Sequence, residues 1–172
     1  MQNILTKEAL TSLYHAIFHA HLLYCSIIIS GASSNALNKI KILQKKAIRT
    51  ITKSKSREHT EPLFKQLKIL PFDKIVQMSK INFMHAVRYK YAPDTFHSTW
   101  QLNEDRNLDY EMRNATDFNL PVPRTEFFKK QPMYSLPLAW NSFNDMKLQP
   151  NKTTFQKYVK EFLLSELASE QN

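Results

Sequence analysis

Residues 35–57 have the sequence NALNKIKILQKKAIRTITKSKSR, which contains eight basic side chains and no acidic one. At about 100° per residue, the apolar positions fall on one side of a helix and the basic positions on the other. The side predicted to be buried comprises Leu37, Ile40, Leu43, Gln44, Ala47, Ile48 and Ile51. The opposite side comprises Lys39, Lys41, Lys45, Lys46, Arg49 and Lys53, with Ile42 as its one apolar member. The stretch therefore predicts a helix that buries one face and presents cations to solvent.

The eight cations of this stretch are called the basic cluster below. A charged helix face is usually no more than solvated surface, but such faces commonly mix both signs of charge at positions three or four apart. The basic cluster has no acid at those spacings, so its cations repel one another and a polyanion would relieve the repulsion. The main candidate contacts to nucleic-acid phosphates are Lys39, Lys45, Lys46, Arg49 and Lys53, and the second choices are Lys41, Lys55 and Arg57.

The net charge of +9 is concentrated in the basic cluster. Residues 1–34 contain one Lys and one Glu, and residues 101–172 contain nine basic and ten acidic side chains. A focused charge of this kind predicts a docking face for RNA, DNA or an RNA–DNA hybrid. Two alternatives are an acidic protein partner and an anionic membrane. The membrane is disfavoured because the apolar face of the helix lacks Trp and Phe.

The composition predicts a mainly α fold. Apolar residues make up 42% of the chain, which argues against disorder, and a single Gly disfavours tight hairpins and phosphate-binding loops. The single Cys25 excludes an internal disulfide and favours an intracellular setting.

Helical periodicity and capping residues predict helices over residues 6–30, 35–57, 60–67, 73–91, 136–143 and 153–167. The expected caps include Thr6, Thr60, Asp73 and Thr153. We expect a helical bundle over residues 6–100, an extended loop region over 101–131 and a C-terminal helical segment over 132–168. Within the loop region, residues 117–122 and 125–129 are expected to form one weak β-hairpin.

No set of catalytic residues is evident. His15 and His19 have the spacing of two metal ligands on a helix, but Ala16 occupies the position of the glutamate in the HExxH pattern. A zinc hydrolase using these histidines is the enzyme alternative. The residue content favours a non-catalytic binding module without a cofactor.

Aromatic and basic residues also alternate around Arg88 and Lys90. The sequence is equally consistent with contacts to stacked nucleic-acid bases and with packing inside the fold at these two positions. Phe127 and Phe128 are expected to anchor the loop region instead.

Several segments, taken together in order and spacing, resemble the region after the catalytic palm in jockey-like non-LTR retrotransposon reverse transcriptases. The segments are LYHAIFHAHLLY at 13–24, LNKI at 37–40, LQKKAIRTI at 43–51, HTEPLF at 59–64, LKIL at 67–70, YEMR at 110–113, PRT at 123–125, WN at 140–141 and residues 155–164. The resemblance covers nearly the whole chain, although the family often has Gly at the position of Cys25 and Trp at that of Ser30.

The resemblance implies a transposable-element protein whose thumb region grips the template–primer duplex, with the basic cluster as the contact to the phosphates. It also implies that the polymerase palm, with the carboxylates that hold Mg²⁺, lies upstream of Met1. The expected location is then the nucleus. The alternatives are an inactive remnant of such an element and a helical module that binds another protein.

Overall fold

The computed structural model describes residues 5–106, 113–143 and 146–169, and it is mainly helical, as predicted. The first helical segment consists of α1 (Lys7–Leu13), a π-helical turn (Tyr14–His19), α2 (Ala20–Tyr24) and α3 (Ser26–Ile29). The longer helices are α4 (Ser34–Thr52), α6 (Phe72–Arg88) and α9 (Lys152–Ser169). The shorter elements are α5 (Glu61–Leu67), a 3₁₀ turn (Asp94–Phe96), α7 (Glu126–Lys130) and α8 (Pro132–Asn141).

The described residues divide into two compact units. The first unit takes the chain up to Val76 together with residues from Glu161 onward, and the second unit spans Gln77–Lys160. These boundaries differ from the predicted ranges 6–100, 101–131 and 132–168. In the described part of the chain, no helix combines the length and the apolar character needed to cross a membrane.

In the first unit, the predicted helix over residues 6–30 is not continuous. Thr6 caps it as expected, with its hydroxyl accepting a hydrogen bond from Ala9 N at 3.2 Å. The π-helical turn then changes the periodicity at Tyr14, and Cys25 departs from helical geometry at φ −123° and ψ 19°. A π-turn is an insertion into the α-helical hydrogen-bond ladder that 3.6-residue periodicity does not reveal.

The basic helix α4 begins at the Ser33 cap and ends at Thr52, so the last residues of the predicted helix over 35–57 lie beyond it. Lys53 takes the left-handed conformation at φ 55°, which ends the helix. Gln44, Ile48 and Ile51 are buried, as the periodicity predicted. The prediction was wrong for Leu43, which is 53% exposed.

A cluster of buried apolar side chains holds the first unit together: Tyr14, Ile48, Ile51, Leu63, Phe64 and Ile69. Each of the first helical segment, α4 and α5 contributes to this cluster. Thr60 occupies the N-cap position of α5, as predicted, although its side chain makes no capping hydrogen bond. The predicted cap Asp73 was wrong, because Asp73 lies within the first turn of α6.

The second unit packs around Trp140, whose ring centroid lies 5.9 Å from that of Phe118 and 6.0 Å from that of Phe155. The predicted hairpin of residues 117–122 and 125–129 was wrong. Within the described residues, Phe118 forms an isolated antiparallel bridge with Leu102, and Thr125 instead caps the short helix α7 by accepting from Phe128 N at 3.1 Å. Helix α9 is capped by Asn151, whose side-chain oxygen accepts from Thr154 N at 3.0 Å, rather than by Thr153.

Candidate nucleic-acid interface

Helix α4 presents most of the basic cluster to solvent because its opposite face is anchored in the core. Ile48 and Ile51 are almost completely buried. Lys39, Lys45 and Lys46 are exposed on α4, while Lys41 and Arg49 are half-buried. Lys53, Lys55 and Arg57 are exposed in the segment that follows the helix.

Lys41 differs from the other members because it already has an acidic partner. Its Nζ lies 2.9 Å from the carboxylate of Asp73 at the start of α6. Asp73 lies 32 positions away in the sequence, so the spacing of charges along α4 could not reveal this pair. A cation that is already paired gains less from a phosphate, which makes Lys41 the weakest candidate contact in the cluster.

Arg49 has a structural role as well as a charge. Its Nε and one terminal nitrogen donate hydrogen bonds to the backbone carbonyl of Glu58 at 3.0 and 2.8 Å. The Glu58 carboxylate in turn accepts from Lys55 N at 3.2 Å. Arg49 therefore holds the segment that carries Lys53, Lys55 and Arg57 against the end of α4.

These two elements enclose a surface cavity of about 740 Å³. It is lined by Ile42, Lys45, Lys46, Arg49, Thr50, Ser54 and Ser56. We call it the cationic cavity. Positive side chains and serine hydroxyl groups are donors that proteins use for phosphate oxygens. The cavity offers three cations and the hydroxyl groups of Ser54 and Ser56, whereas the Thr50 hydroxyl already donates to Lys46 O.

The hydroxyl groups of the cationic cavity were not among the residues predicted for the site. Thr50 donates to Lys46 O at 3.0 Å, and the Ser54 hydroxyl lies 2.8 Å from that of Thr52. The alternation KSKS at residues 53–56 could have indicated them, because it places a hydroxyl beside each lysine that follows α4.

Apart from Lys41, no member of the basic cluster forms a salt bridge with any carboxylate of the described residues. Lys39, Lys45, Lys46 and Lys53 are therefore exposed cations without a carboxylate partner among those residues. Besides Asp73, which pairs with Lys41, the acid Glu58 lies beside the cluster, where its carboxylate accepts from Lys55 N and where it follows directly after Arg57 in the sequence.

The histidines of the zinc alternative lie side by side on the π-helical turn, where the ring centroids of His15 and His19 are 5.2 Å apart. The part of the chain that the structure describes contains no group of three or more His, Cys, Asp or Glu side chains that could hold a metal ion. His15 and His19 thus have no third ligand among those residues.

The aromatic and basic residues of the second unit are divided between packing and exposure. Arg88 donates to Thr116 O at 3.2 Å and to the Glu104 carboxylate at 3.0 Å, which fixes it within the unit. Lys90 is exposed in a left-handed conformation. Of the two phenylalanines expected to anchor the loop region, Phe127 is mostly exposed, whereas Phe128 is half-buried with its ring centroid 6.2 Å from that of Tyr134.

Comparisons of this chain with family models, with curated proteins and with solved structures found no match. The resemblance to retrotransposon reverse transcriptases therefore stays a hypothesis based on the sequence segments themselves.

Proposed function

We propose that this protein binds nucleic acid through its phosphates, without reading the base sequence, and that the cationic cavity is the centre of the interface. The contacts would come from Lys39, Lys45, Lys46, Arg49 and Lys53, with Lys55 and Arg57 extending the surface. Lys41 would contribute least, because Asp73 already pairs with its ammonium group.

One observation carries the proposal: Lys45, Lys46 and Arg49 converge on one cavity that also contains hydroxyl donors, and none of the three has a salt-bridge partner in the described residues. A charged face that serves only solubility does not require such convergence. Phosphate contacts of this kind position a duplex and supply salt-dependent affinity.

The resemblance to jockey-like reverse transcriptases supports an RNA–DNA hybrid as the ligand. On this proposal the chain is a non-catalytic, thumb-like segment that works in the nucleus, and the Mg²⁺-binding carboxylates belong to a polymerase palm upstream. A remnant that no longer binds nucleic acid is the alternative, and so is a helical module that binds another protein.

The experiment that tests the proposal is a titration of the purified protein against a fluorescent RNA–DNA hybrid at several salt concentrations. The test variant combines Lys39→Gln, Lys45→Gln and Lys46→Gln. Each neutralised phosphate contact contributes about 0.7–0.9 to the slope of log affinity against log salt. We therefore expect the variant to bind more weakly and to flatten the slope by about two units.

The matched control combines Lys130→Gln, Lys157→Gln and Lys160→Gln, which removes the same charge from exposed positions of the second unit. If the control loses as much affinity and slope as the test variant, the binding reflects net charge alone and the proposed site is wrong. Absence of salt-dependent binding by the parent protein would favour the remnant.

A further inference from the structure

A second surface of the first unit is apolar. It is a groove of about 260 Å³ between the first helical segment and α4, lined by Leu10, Leu13, Tyr14, Ile17, Phe18, Ala47, Thr50 and Ile51. We call it the apolar groove. Tyr14 and Ile51 belong to the buried core and form its floor. Leu13 and Ile17 remain 48% and 59% exposed.

The exposed apolar surface continues along the first helical segment. Tyr24 on α2 and Ile28 on α3 are also largely exposed. No Lys, Arg, Asp or Glu occurs from Ala9 to Asn38. This side of the groove therefore offers apolar contact without fixed charge.

The other side of the apolar groove is bordered by cations. Ala47 and Thr50 line the groove on α4, and the exposed Leu43 lies one turn before Ala47, just beyond the lined stretch. A helix places Lys46 about 40° around from Thr50, and Lys39 about 40° around from Leu43. The two lysines are seven residues apart, or two helical turns. Both are exposed and have no acidic partner among the described residues.

We propose that the apolar groove binds an amphipathic helix of a partner protein that carries acidic residues along one border of its apolar face. The apolar side chains of that helix would cover Leu13 and Ile17, and acids spaced by two turns would meet Lys39 and Lys46. This is recognition of a helix in a groove, with charge setting its orientation.

The charge of the border also argues against a second copy of this chain as the occupant. If two copies joined through this groove, Lys39 and Lys46 of one copy would approach Lys39 and Lys46 of the other, and these like charges would repel one another. Nucleic-acid bases stack on exposed aromatic rings, whereas the exposed lining side chains here are the aliphatic Leu13 and Ile17. The proposal does not rest on the nucleic-acid function, although it shares Lys39 and Lys46 with the proposed phosphate contacts.

The test uses two fluorescent synthetic peptides of eighteen residues that bear the same apolar face. One peptide has Glu at the two border positions spaced by seven, and the other has Lys there. The parent protein should bind the Glu peptide at least tenfold more tightly than the Lys peptide. The variant Leu13→Ser with Ile17→Ser should bind the Glu peptide at least about tenfold more weakly, since it loses two apolar contacts.

Two controls separate this site from the nucleic-acid interface. Leu138→Ser removes an exposed leucine of the second unit and should leave peptide affinity unchanged. The variant Leu13→Ser with Ile17→Ser should retain the affinity of the parent protein for the RNA–DNA hybrid. That result would also show that the variant is folded.

A measurement on the parent protein avoids dependence on the variants. Backbone amide chemical shifts should change on addition of the Glu peptide at Ala47 and Thr50 and stay constant at Lys157. Equal affinity for the two peptides, or shifts confined to residues outside the apolar groove, would overturn the proposal. A third result would also overturn it. The parent protein would fail to bind the Glu peptide but would self-associate or bind anionic vesicles, and the double variant would abolish that association.

Discussion

The side-chain amide of Gln44 donates a hydrogen bond to the hydroxyl of Tyr14 at 3.0 Å, and both residues are buried in the first unit. The same amide donates to Leu70 O at 3.0 Å, and its oxygen accepts from Phe72 N at 2.8 Å. Gln44 thus connects the basic helix to the first helical segment and to the start of α6. Its position also determines which face of α4 is left for the cations.

We predict that Gln44→Leu destabilises the protein although it replaces a polar core residue by an apolar one. The change leaves a buried N–H, a carbonyl and a hydroxyl without their partner, at about 1–3 kcal/mol for each group that finds no substitute. The expected loss in the free energy of unfolding is about 3 kcal/mol or more, measured by urea denaturation. Gln66→Leu, at an exposed position of α5, should change it by less than about 0.5 kcal/mol.

The buried phenol of Tyr14 predicts a loss of stability at high pH. Burial raises the pKa of Tyr14 above its ordinary value of 10.0, and the hydrogen bond from Gln44 opposes the rise only in part. Above pH 10 the unfolded chain releases the phenol proton while the folded chain retains it, so stability falls as pH rises through the folded-state pKa. Urea midpoints between pH 9 and 11 would measure this.

The comparison that isolates the effect of Tyr14 is with Tyr14→Phe. This variant is expected to be less stable at neutral pH because the Gln44 amide loses a partner. Its stability should nevertheless fall less steeply above pH 10 than that of the parent protein. Identical slopes would mean that Tyr14 ionises as easily in the folded state as in the unfolded state.

Local patterns predicted the helices well, whereas contacts between distant residues decided the details. Periodicity placed both Leu43 and Gln44 on the buried side of α4, but the structure buries Gln44 and exposes Leu43. The reason is that Gln44 finds partners at Leu70 and Phe72, more than twenty positions away. No local pattern contains that information.

The candidate site also has some features that the local sequence pattern predicted and others that depend on contacts between distant residues. The exposure of Lys45 and Lys46 followed from the helical pattern, but the pairing of Lys41 with Asp73 did not. The failed hairpin is a different case, because a local signal was present: Thr125 followed by Glu126 is a typical start of a helix, and α7 begins there. The role of the basic cluster in binding stays a prediction.

Lys53 predicts a stabilising substitution at the edge of the interface. It occupies the left-handed conformation after α4, which costs a residue with a side chain about 1 kcal/mol more than glycine. Lys53→Gly should therefore raise the temperature of unfolding relative to Lys53→Ala. Both variants remove the same charge and should weaken hybrid binding equally, so a difference in salt slope between them would contradict the assignment of Lys53 as a simple phosphate contact.

Asn141 predicts a strong dependence of the second unit on one side-chain amide. Its oxygen accepts from Phe118 N at 3.0 Å and its nitrogen donates to Phe118 O at 2.8 Å, so both backbone groups of a buried residue depend on it. Asn141→Ala should lower the free energy of unfolding by about 2 kcal/mol. Asn141→Asp keeps the acceptor but loses the donor, so it should lose less stability than Asn141→Ala. A larger loss in Asn141→Asp than in Asn141→Ala would contradict this expectation and indicate that the added charge dominates.

His85 predicts a loss of stability on acidification. It is buried in the second unit, stacks on Phe155 with ring centroids 4.0 Å apart, and its Nε2 lies 2.8 Å from Gln149 O. Burial lowers the pKa of His85 below its ordinary value of 6.5, an effect that the bond to Gln149 opposes and that the charges of Lys152 and Arg88 reinforce. Below pH 6.5 the unfolded chain binds a proton that the folded chain does not, so stability falls as pH falls through the folded-state pKa.

The measurement is the urea midpoint between pH 7 and 5, with the proton resonances of His85 followed by NMR over the same range. His85→Phe retains an aromatic ring against Phe155 but has no group that titrates, so its midpoint should decline less than that of the parent protein. An equal decline in the two proteins would show that acid acts on the second unit through groups other than His85.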